Sequence, residues 1–390
     1  MKVYLFNADT DLAMAHGGAY YMPPASVKQF MADLAMLPYW YAEEGSAIVA
    51  CGEDNANFLR QMNECFHRDV KLISPNELSE NHMLMPWGWN VSLRQRLMEE
   101  GVDETLLPSD EQLATWRILS SRHNTEEILN IFEDKHPWIG RSWRLTSMDD
   151  CRRVLSELSR RCVLKLPWSG SGKGLNWCRA GMTPHIEAWC AKALRTQGSI
   201  QAAPIYNKVL DFAMEFVRAA SGELTFVGYS RFGTNESGAY QANHLALDEE
   251  IEAEIAAYLP PGTLAETQRR LMPMLDKLLA NHYCGYLGVD MMVCREGDAY
   301  RLHPCVEVNM RMNMGVVAHN FYRDYVVPGA HGLFEVKHFN SPNELRASTE
   351  PIRQMHPVRM VEGRIASGFL PLVPITKETC NLAYVLITKC

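Results

Sequence analysis

CVLKLPWSGSGKGL, at residues 162–175, is the most informative segment of this 390-residue chain. Its apolar start predicts a β-strand that ends in Lys165, and a loop of glycine and serine residues follows before a second strand begins. Glycine lets backbone N–H groups approach phosphate oxygens without interference from a Cβ atom, and lysine supplies a positive charge. The segment therefore predicts a hairpin that folds over phosphates; the alternative is a flexible hairpin at the surface.

Two well-known phosphate-binding loops do not fit this segment. A Walker A loop has a glycine five positions before its last glycine, and a serine or threonine after its lysine. Here Pro167 and Gly174 occupy those two positions. A dinucleotide-binding loop opens a helix, whereas the residues from Leu175 onward are typical of a strand.

A second informative segment consists of two strand-like runs, GYLGVDMM at 285–292 and RLHPCVEVNMR at 301–311. Alternate side chains of a strand share one face. Glu307, Asn309 and Arg311 are therefore expected to point the same way, while the valines between them face the core. An acid, an amide and an arginine on one strand face indicate a binding site, and solvated polar residues are the alternative.

Asp290 is expected to join this face from the preceding strand. The Glu296-Gly297 pair is typical of a turn, so the two strands should be antiparallel and should bring Asp290 near Glu307. Two carboxylates and the amide oxygen of Asn309 suit a Mg²⁺ ion that bridges phosphates. The sequence therefore predicts a metal site formed by Asp290, Glu307 and Asn309.

The first hundred residues alternate between predicted strands and predicted helices. Strands are expected at 2–6, 46–51 and 70–74, and helices at 27–43 and 55–65. This order implies a small α/β domain with a parallel sheet and right-handed crossovers.

Polar residues follow the first predicted strand, at Asn7, Asp9, Thr10 and Asp11. Ligands of α/β folds bind at the carboxyl ends of strands, and turn or capping chemistry explains the same residues equally well. The Trp87-Gly88-Trp89 run can shape a substrate pocket or can serve packing alone.

The rest of the chain begins with a predicted helix. Ser109 is a good N-cap, and Gln112 can complete a capping box for a helical pattern that extends to about residue 132. Most of the following residues are predicted as strands, with a long helix at 263–281. The tail, at about 341–390, contains prolines and two strand-like runs.

Composition excludes several classes of protein. The net charge is −8, which argues against nucleic acid as a partner because phosphate backbones require clustered lysine and arginine. No run of 18 apolar residues or secretion signal is present, so we expect no membrane association. The eleven cysteines form no C-x-x-C pair and are expected to be reduced thiols of a cytoplasmic protein.

The two informative segments together resemble the ATP-grasp superfamily. In that superfamily a lysine ends a strand before a glycine-rich loop, and a later strand carries E-x-N after an upstream aspartate. The resemblance covers about 109–320, and the E-x-N-x-R form is similar to biotin carboxylase and its relatives. It implies an N-terminal parallel α/β domain followed by a two-part ATP-grasp fold with antiparallel sheets.

The resemblance also implies domain boundaries. Residues 1–108 would form the α/β domain on the substrate side, and 109–200 the ATP-grasp subdomain with the glycine-rich loop. Residues 201–340 would form the subdomain with the Mg²⁺ site, and 341–390 a C-terminal extension.

Roles for individual residues follow from the same resemblance. Lys165 would contact the α- and β-phosphates, Asp211 would meet the ribose, and Arg311 would steady an acyl phosphate. A second basic residue would be Arg122 or Arg117. The remaining residues implied to contact ATP are Ser169, Gly170, Ser171, Gly172, Lys173, Gln201 and Ala203.

Two positions near the implied ribose and adenine sites stand out. Gln201 lies where the family often has an acidic residue, so the details of adenine recognition differ. Glu215 shares a strand face with Asp211 and is also expected to look into the cleft.

The implied activity is ATP-dependent and ADP-forming ligation. The γ-phosphate of Mg-ATP would activate the carboxylate of a small molecule or peptide, and an amine or similar nucleophile would attack the acyl phosphate. A small-molecule kinase on the same fold and a non-catalytic ATP-binding protein are the alternatives. Many ATP-grasp enzymes are dimers, so a homodimer is left open.

Overall fold

A computed structural model describes residues 1–133, 136–158, 161–170, 172, 174–235, 238–280 and 282–388. The first part of the chain folds as alternating strands and helices, namely β1 (Lys2–Leu5), α1 (Thr10–His16), α2 (Ala25–Asp33), β2 (Ala47–Val49), α3 (Glu53–Phe66), β3 (Lys71–Ile73), β4 (Met83–Pro86) and α4 (Val91–Glu99). The four strands are parallel and lie in the order β3-β2-β1-β4. The predicted parallel sheet is therefore confirmed.

β4 is an additional strand that the sequence analysis does not predict. It is only four residues long and ends in Pro86, so its pattern is weak. It pairs with β1 from Lys2 to Leu5 and forms an edge of the sheet, where proline is tolerated because one side of the strand needs no partner.

The helix predicted at 27–43 is wrong in its second half. α2 ends at Asp33, and a short 3₁₀ helix occupies Leu37–Trp40. Pro38 has no backbone N–H and its ring clashes with the carbonyl four residues earlier, at Leu34, which disfavours continuation of the α-helix beyond Asp33. The indole nitrogen of the buried Trp40 donates to the backbone oxygen of Leu372, 2.6 Å away.

The second part of the chain contains the glycine-rich loop. Its elements are α5 (Asp110–Leu119), α6 (Asn124–Asn130), β5 (Trp143–Leu145), α7 (Met148–Glu157), β6 (Cys162–Lys165), β7 (Leu175–Cys178), α8 (Pro184–Gln197) and β8 (Ile200–Pro204). The strands form an antiparallel sheet in the order β5-β8-β6-β7. The predicted strand–loop–strand hairpin is thus confirmed as β6 and β7.

The helix predicted from Ser109 to about residue 132 is two helices. The predicted capping box is confirmed, because the Ser109 and Gln112 side chains each bond to the other residue's backbone. α5 stops at Leu119, and the backbone N–H of Arg122 donates instead to Pro167 of the loop, at 3.1 Å. This tertiary hydrogen bond is not visible in a local pattern.

The third part of the chain supplies most of a nine-stranded sheet. Its elements are β9 (Lys208–Arg218), β10 (Leu224–Thr234), β11 (Tyr240–Leu245), α9 (Asp248–Ala256), α10 (Thr263–Leu279), β12 (Gly285–Glu296), β13 (Ala299–Asn309), α11 (Met314–Tyr325) and β14 (His331–His338). Apolar residues of β9, β12 and α10, such as Phe212, Val289 and Leu275, are fully buried in one core cluster. The predicted strands and the long helix at 263–281 are confirmed here.

The tail consists of α12 (Pro342–Met355), β15 (Arg359–Val361), β16 (Arg364–Pro371) and β17 (Asn381–Thr388). The two strand-like runs correspond to β16 and β17, and the tail also contains α12 and the short β15, which are not predicted from the sequence. Ser341 caps the added helix and Pro342 opens it, which are helix-start signals that the strand reading overlooked. The complete sheet order is β13-β12-β9-β10-β11-β14-β17-β16-β15, so the tail extends the sheet of the third part. The four-part division of the chain stays a prediction.

Across the described ranges, no helix combines the length and the apolar character needed to cross a bilayer.

Candidate active site

The predicted pairing of Asp290 and Glu307 is present in the structure. The two residues lie directly opposite each other on β12 and β13, in an antiparallel register. The Asn309 side chain also hydrogen-bonds to Asp290. Burial, and then the nearby negative charge of Glu307, raise the pKa of Asp290 well above its ordinary value. Two adjacent carboxylates of this kind are suited to a divalent cation, which would relieve their repulsion.

Within the described ranges, no group of three or more acidic, histidine or cysteine side chains is arranged to hold a metal ion. Asp290 and Glu307 would therefore need further oxygens from Asn309, water or a ligand. Mg²⁺ is commonly bound in this way, by one or two carboxylates together with phosphate oxygens. The donor set thus fits the predicted ion.

Lys165 ends β6 and faces the carboxylate strand. Its ammonium group donates to the backbone oxygen of Val306, 3.3 Å away, next to Glu307. Burial, together with the smaller effect of the positive charge of Arg122, lowers the pKa of Lys165 to about 8, and the negative charge of Glu307 opposes this shift. The protein alone stabilises the lysine cation poorly, and a bound anion would stabilise it. This property suits a lysine that binds phosphate.

Arg122 connects the glycine-rich loop to the carboxylate pair. Its guanidinium donates to Glu307 at 2.8 Å and to the backbone oxygens of Leu166 and Ser169, each at 2.8 Å. The predicted alternative, Arg117, lies elsewhere: its guanidinium stacks 3.8 Å from the ring of Trp168 and donates to Met14. Of the two candidates, only Arg122 therefore contacts the predicted metal ligands.

The glycine-rich loop lies against two other segments. Ser169 is buried and accepts a hydrogen bond from Arg122. A Cβ atom on Gly170 would lie 2.5 Å from a carboxylate oxygen of Asp11, and one on Gly172 would lie 2.9 Å from the backbone oxygen of Gly238. These close approaches require glycine. Two further predicted contact residues, Ser171 and Lys173, lie outside the described residues.

The predicted adenine hinge lies on β8. Gln201 pairs with Lys165 across the sheet, and its buried side chain donates to the backbone oxygen of Arg122 at 2.7 Å. Ala203 is also buried. In this arrangement the Gln201 side chain supports the backbone of Arg122.

Asp211, the predicted ribose contact, lies on β9. Its carboxylate accepts hydrogen bonds from Lys208 and from the hydroxyl of Thr234, at 2.7 Å for the latter. The neighbouring Glu215 lies deeper in the same strand face.

Glu215 is a buried acid that the sequence analysis placed in the cleft without assigning it a role. Its carboxylate accepts hydrogen bonds from Ser230 and Asn313, each at 2.9 Å, and burial raises its pKa to about 7. Gly288 and Gly315 provide the necessary space, because a Cβ atom on either residue would collide with the carboxylate. Glu215 therefore lies beneath the site and supports Asn313, the N-cap of α11.

Arg311 is held by a residue of the first domain. The Nε and Nη2 atoms of its guanidinium donate to the two carboxylate oxygens of Asp11, at 2.9 and 2.7 Å. The backbone N–H of Met312 donates to Trp87, also of the first domain, at 2.9 Å. The polar residues after β1 were predicted either to bind a ligand or to serve turns and caps. The structure places one of them, Asp11, in the lining of a cleft.

One cleft brings these elements together. It lies between α1, the glycine-rich loop and the end of β13, and the lining includes Asp11, Met14, Pro167, Ser169, Glu307, Asn309 and Arg311. Two predicted site residues are not part of this lining: Lys165 is buried, and Asp290 is half-buried opposite Glu307. The cleft can therefore combine positive charge for phosphates with oxygens for a metal ion.

Comparison with solved structures shows the same architecture. N5-carboxyaminoimidazole synthetase from Staphylococcus aureus aligns over 100% of this chain and 94% of its own, with a TM-score of 0.53 and 11% sequence identity. Biotin carboxylase from Campylobacter jejuni aligns over 100% and 87%, with a TM-score of 0.52 and 11% identity. The chain has an ATP-grasp fold.

This ATP-grasp fold is also that of the biotin carboxylase domain of 2-oxoglutarate carboxylase from Hydrogenobacter thermophilus. The alignment covers 88% of this chain and 86% of that one, with a TM-score of 0.50 and 11% identity. No protein-family model matches the sequence, and neither does any curated protein. The predicted fold class is therefore confirmed by structure, at a level of identity where sequence carries little signal.

Proposed function

We propose that this protein is an ADP-forming ligase. It transfers the γ-phosphate of ATP to a carboxylate, and an amine or similar nucleophile then attacks the carbonyl carbon of the acyl phosphate and displaces inorganic phosphate. The observation that carries this proposal is that Lys165 and Arg122 contact β13 at Val306 and Glu307, and that Glu307 is paired with Asp290 and lines one cleft together with Arg311. Positioned cations and a metal ion are the main means by which proteins accelerate phosphoryl transfer.

The ligands of two solved neighbours support this proposal. The Campylobacter jejuni biotin carboxylase structure is a complex with an ATP ligand, and the Hydrogenobacter thermophilus domain was solved with MgADP, ADP and bicarbonate. The second of these is a dimer. We extend ATP and Mg²⁺ to the present protein as its cofactors, and a homodimer is one arrangement in which it can act.

Asp290, Glu307 and Asn309 would hold Mg²⁺. When bound, the ion would neutralise charge on the β- and γ-phosphates during transfer. Lys165 would contact the phosphates, and Arg122, already hydrogen-bonded to Glu307, would lie beside them.

The remaining nucleotide contacts follow from the positions of three segments. The glycine-rich loop from Ser169 to Gly174 would cover the phosphates and keep water from the acyl phosphate. Gln201 and Ala203 would lie beside the adenine, and Asp211 beside the ribose. The acid is the carboxylate of a small molecule or peptide, and the scattered thiols are those expected of an enzyme that acts in the cytoplasm.

Trapping of the acyl phosphate tests this function. The protein would be incubated with Mg-ATP, hydroxylamine and a panel of carboxylic acids, including bicarbonate, and both ADP and hydroxamate would be measured. We expect at least one acid to stimulate ADP release, with formation of its hydroxamate or, for bicarbonate, release of phosphate. The Arg311→Lys variant should lose most of this activity, because lysine cannot make the same two-pronged contact with an oxyanion.

Two other outcomes would contradict the ligase proposal. ADP release that depends on a hydroxyl compound, with no hydroxamate from any acid, would indicate a kinase. Tight binding of Mg-ATP without ADP release under any condition would indicate a non-catalytic ATP-binding protein. A matched control is Arg323→Lys, because Arg323 makes a similar two-pronged ion pair with Asp324 on the exposed side of α11.

A further inference from the structure

The contact between Arg311 and Asp11 occupies the part of the guanidinium that a substrate anion would use. The Nε–Nη2 edge of arginine matches the two oxygens of a carboxylate. Here that edge is paired with Asp11 at 2.9 and 2.7 Å, while Nη1 donates to the backbone oxygen of Met312 at 3.1 Å. An anionic substrate must therefore compete with Asp11 for Arg311.

The fold places Asp11 in the cleft through more than this one ion pair. Asp11 lies in the first turn of α1, and the backbone contact between Met312 and Trp87 joins the first domain to the end of β13. Gly170 of the glycine-rich loop has no Cβ atom, and an added one would lie 2.5 Å from the Asp11 carboxylate. The carboxylate therefore lies between Arg311 and the predicted phosphate-covering loop.

An ordinary ion pair between domains is the simpler interpretation. Such a pair needs no access to ligand, and would be equally effective away from the cleft. The Asp11 and Arg311 side chains instead line the cleft together with Glu307 and Asn309, and they retain 23% and 16% of their exposure. The ion pair is thus within reach of a ligand and is partly open to solvent.

We propose that Asp11 is a displaceable counter-ion for Arg311. The anionic substrate replaces Asp11 on Arg311, and the freed Asp11 carboxylate then binds the ammonium form of the nucleophile and accepts its proton as the neutral amine attacks. This inference rests on the proposed ligase function and deepens it, because it assigns an amine as the nucleophile. Once released, the Asp11 carboxylate would remain near Glu307 and close to the phosphates of ATP. A cationic amine would stabilise it there, whereas a neutral thiol or hydroxyl would not.

This arrangement predicts coupling between the two substrates. The anion and the ammonium group would each favour the state in which Asp11 has left Arg311. Two ligands that favour the same state bind cooperatively, and the coupling is reciprocal. Removal of the Asp11 charge should therefore strengthen anion binding and abolish the coupling.

Acetate and methylammonium are minimal probes for this test. Their binding to the wild type and to Asp11→Asn would be measured by calorimetry and thermal shift, with and without MgADP, and with sodium chloride to balance ionic strength. In Asp11→Asn we expect acetate to bind about 10-fold more tightly, because the competing carboxylate is gone. In the wild type, methylammonium should tighten acetate binding about 5-fold, and in Asp11→Asn it should have no effect.

Controls separate this proposal from general effects on charge and folding. Asp324→Asn removes the acid of the exposed Arg323–Asp324 pair and should leave acetate binding unchanged. Asp11→Ser provides a second variant if Asp11→Asn is poorly folded. Unchanged acetate affinity in both Asp11 variants, or coupling that survives in them, would overturn the proposal. A thermal shift of zero with MgADP would count against the proposed ligase function and not against the role of Asp11. The two failures can be told apart because acetate binding is also measured without nucleotide.

Discussion

Burial acts in opposite directions on the pKa values of Lys165 and Asp290. The pKa of Lys165 falls to about 8, whereas that of Asp290 rises well above its ordinary value. In each case the charged form is disfavoured because water is excluded. A bound phosphate would stabilise the lysine cation and a metal ion would stabilise the aspartate anion. The two pKa shifts therefore describe a site in which bound ligands, and not neighbouring side chains alone, would stabilise the charged forms.

Glu215 permits a prediction about stability and pH. Burial raises its pKa to about 7, so the folded protein holds this proton at pH values where the unfolded chain has released it. The resulting contribution to stability is fully present below the pKa of the unfolded chain and is lost as pH rises to about 7. Glutamine does not ionise, so the Glu215→Gln variant should gain about 3 kcal/mol in stability relative to wild type between pH 4.5 and pH 8.

Denaturation by urea at several pH values, without Mg²⁺, would measure this difference. The matched control is Glu266→Gln, an acid on α10 paired with two arginines, where the pKa is lowered instead to about 2 by Arg269 and Arg270. A constant difference between wild type and Glu215→Gln over this pH range would show that Glu215 does not titrate as described.

The residue contacts of the site differ in how far the sequence predicts them. The pairing of Asp290 with Glu307 is confirmed, because the turn makes the strands antiparallel and periodicity places both residues on one face, but a register shift between Asp290 and Met292 sets the exact partner and is not visible in the sequence. The contacts of Arg122 with Glu307 and of Arg311 with Asp11 join residues 185 and 300 positions apart. No local pattern predicts pairs that depend on how separate domains pack.

At the scale of elements, α11 is anchored to the sheet by its first turn. Asn313 caps the helix, donates to Glu215, and follows directly after the segment that carries Arg311. Gly315 lies in this first turn, where a Cβ atom would collide with the Glu215 carboxylate and with Ser230. The backbone of α11 can therefore approach β9 and β10 only because residue 315 is glycine.

Gly315→Ala should destabilise the protein, although replacing glycine with alanine inside a helix usually stabilises it. Alanine in place of helical glycine normally stabilises by up to about 1 kcal/mol. Here we expect a loss of about 1–3 kcal/mol in the free energy of unfolding, because the methyl group forces Glu215 or the helix to move. Gly233→Ala on β10 is the control, since the nearest atom to its added Cβ would be 4.0 Å away. Equal stability of the two variants in urea would contradict this reading of the contact.

The elements themselves were predicted best where periodicity was sustained. The hairpin of β6 and β7, the pair of β12 and β13, and the long helix α10 all appear where expected. Errors occurred where proline or a tertiary contact ended a helix early, as at Pro38 and Arg122. Short elements such as β4 carry too few residues for a clear pattern.

At the scale of the whole molecule, the first part of the chain and the tail share one core. The cluster contains Tyr4, Phe6 and Trp40 together with Phe369 and Val385. The hydrogen bond between Trp40 and Leu372 joins the same two regions, 332 positions apart. The tail therefore does more than extend the sheet, because it also covers the apolar face of the first domain.

Trp40→Ala should destabilise both regions together. Loss of this fully buried ring is expected to cost about 3–5 kcal/mol, and Trp40→Phe should cost less because it keeps most of the packing. Hydrogen exchange of β1 and β17, read in the same experiment, should show reduced protection in both strands. Reduced protection confined to β1 would contradict a shared core. Trp168→Ala is a suitable control, because that ring packs on Arg117 at the cleft.

The central claim is that Mg-ATP binds between Lys165 and the carboxylate pair, and thermal unfolding with and without Mg-ATP tests it most directly. At about 100 times its dissociation constant the ligand should add about 2.7 kcal/mol, a rise of a few degrees in Tm. Lys165→Ala and Glu307→Gln should lose most of this rise, whereas the exposed controls Lys277→Ala and Glu296→Gln should keep it. No rise in the wild type, or an undiminished rise in both site variants, would contradict the account.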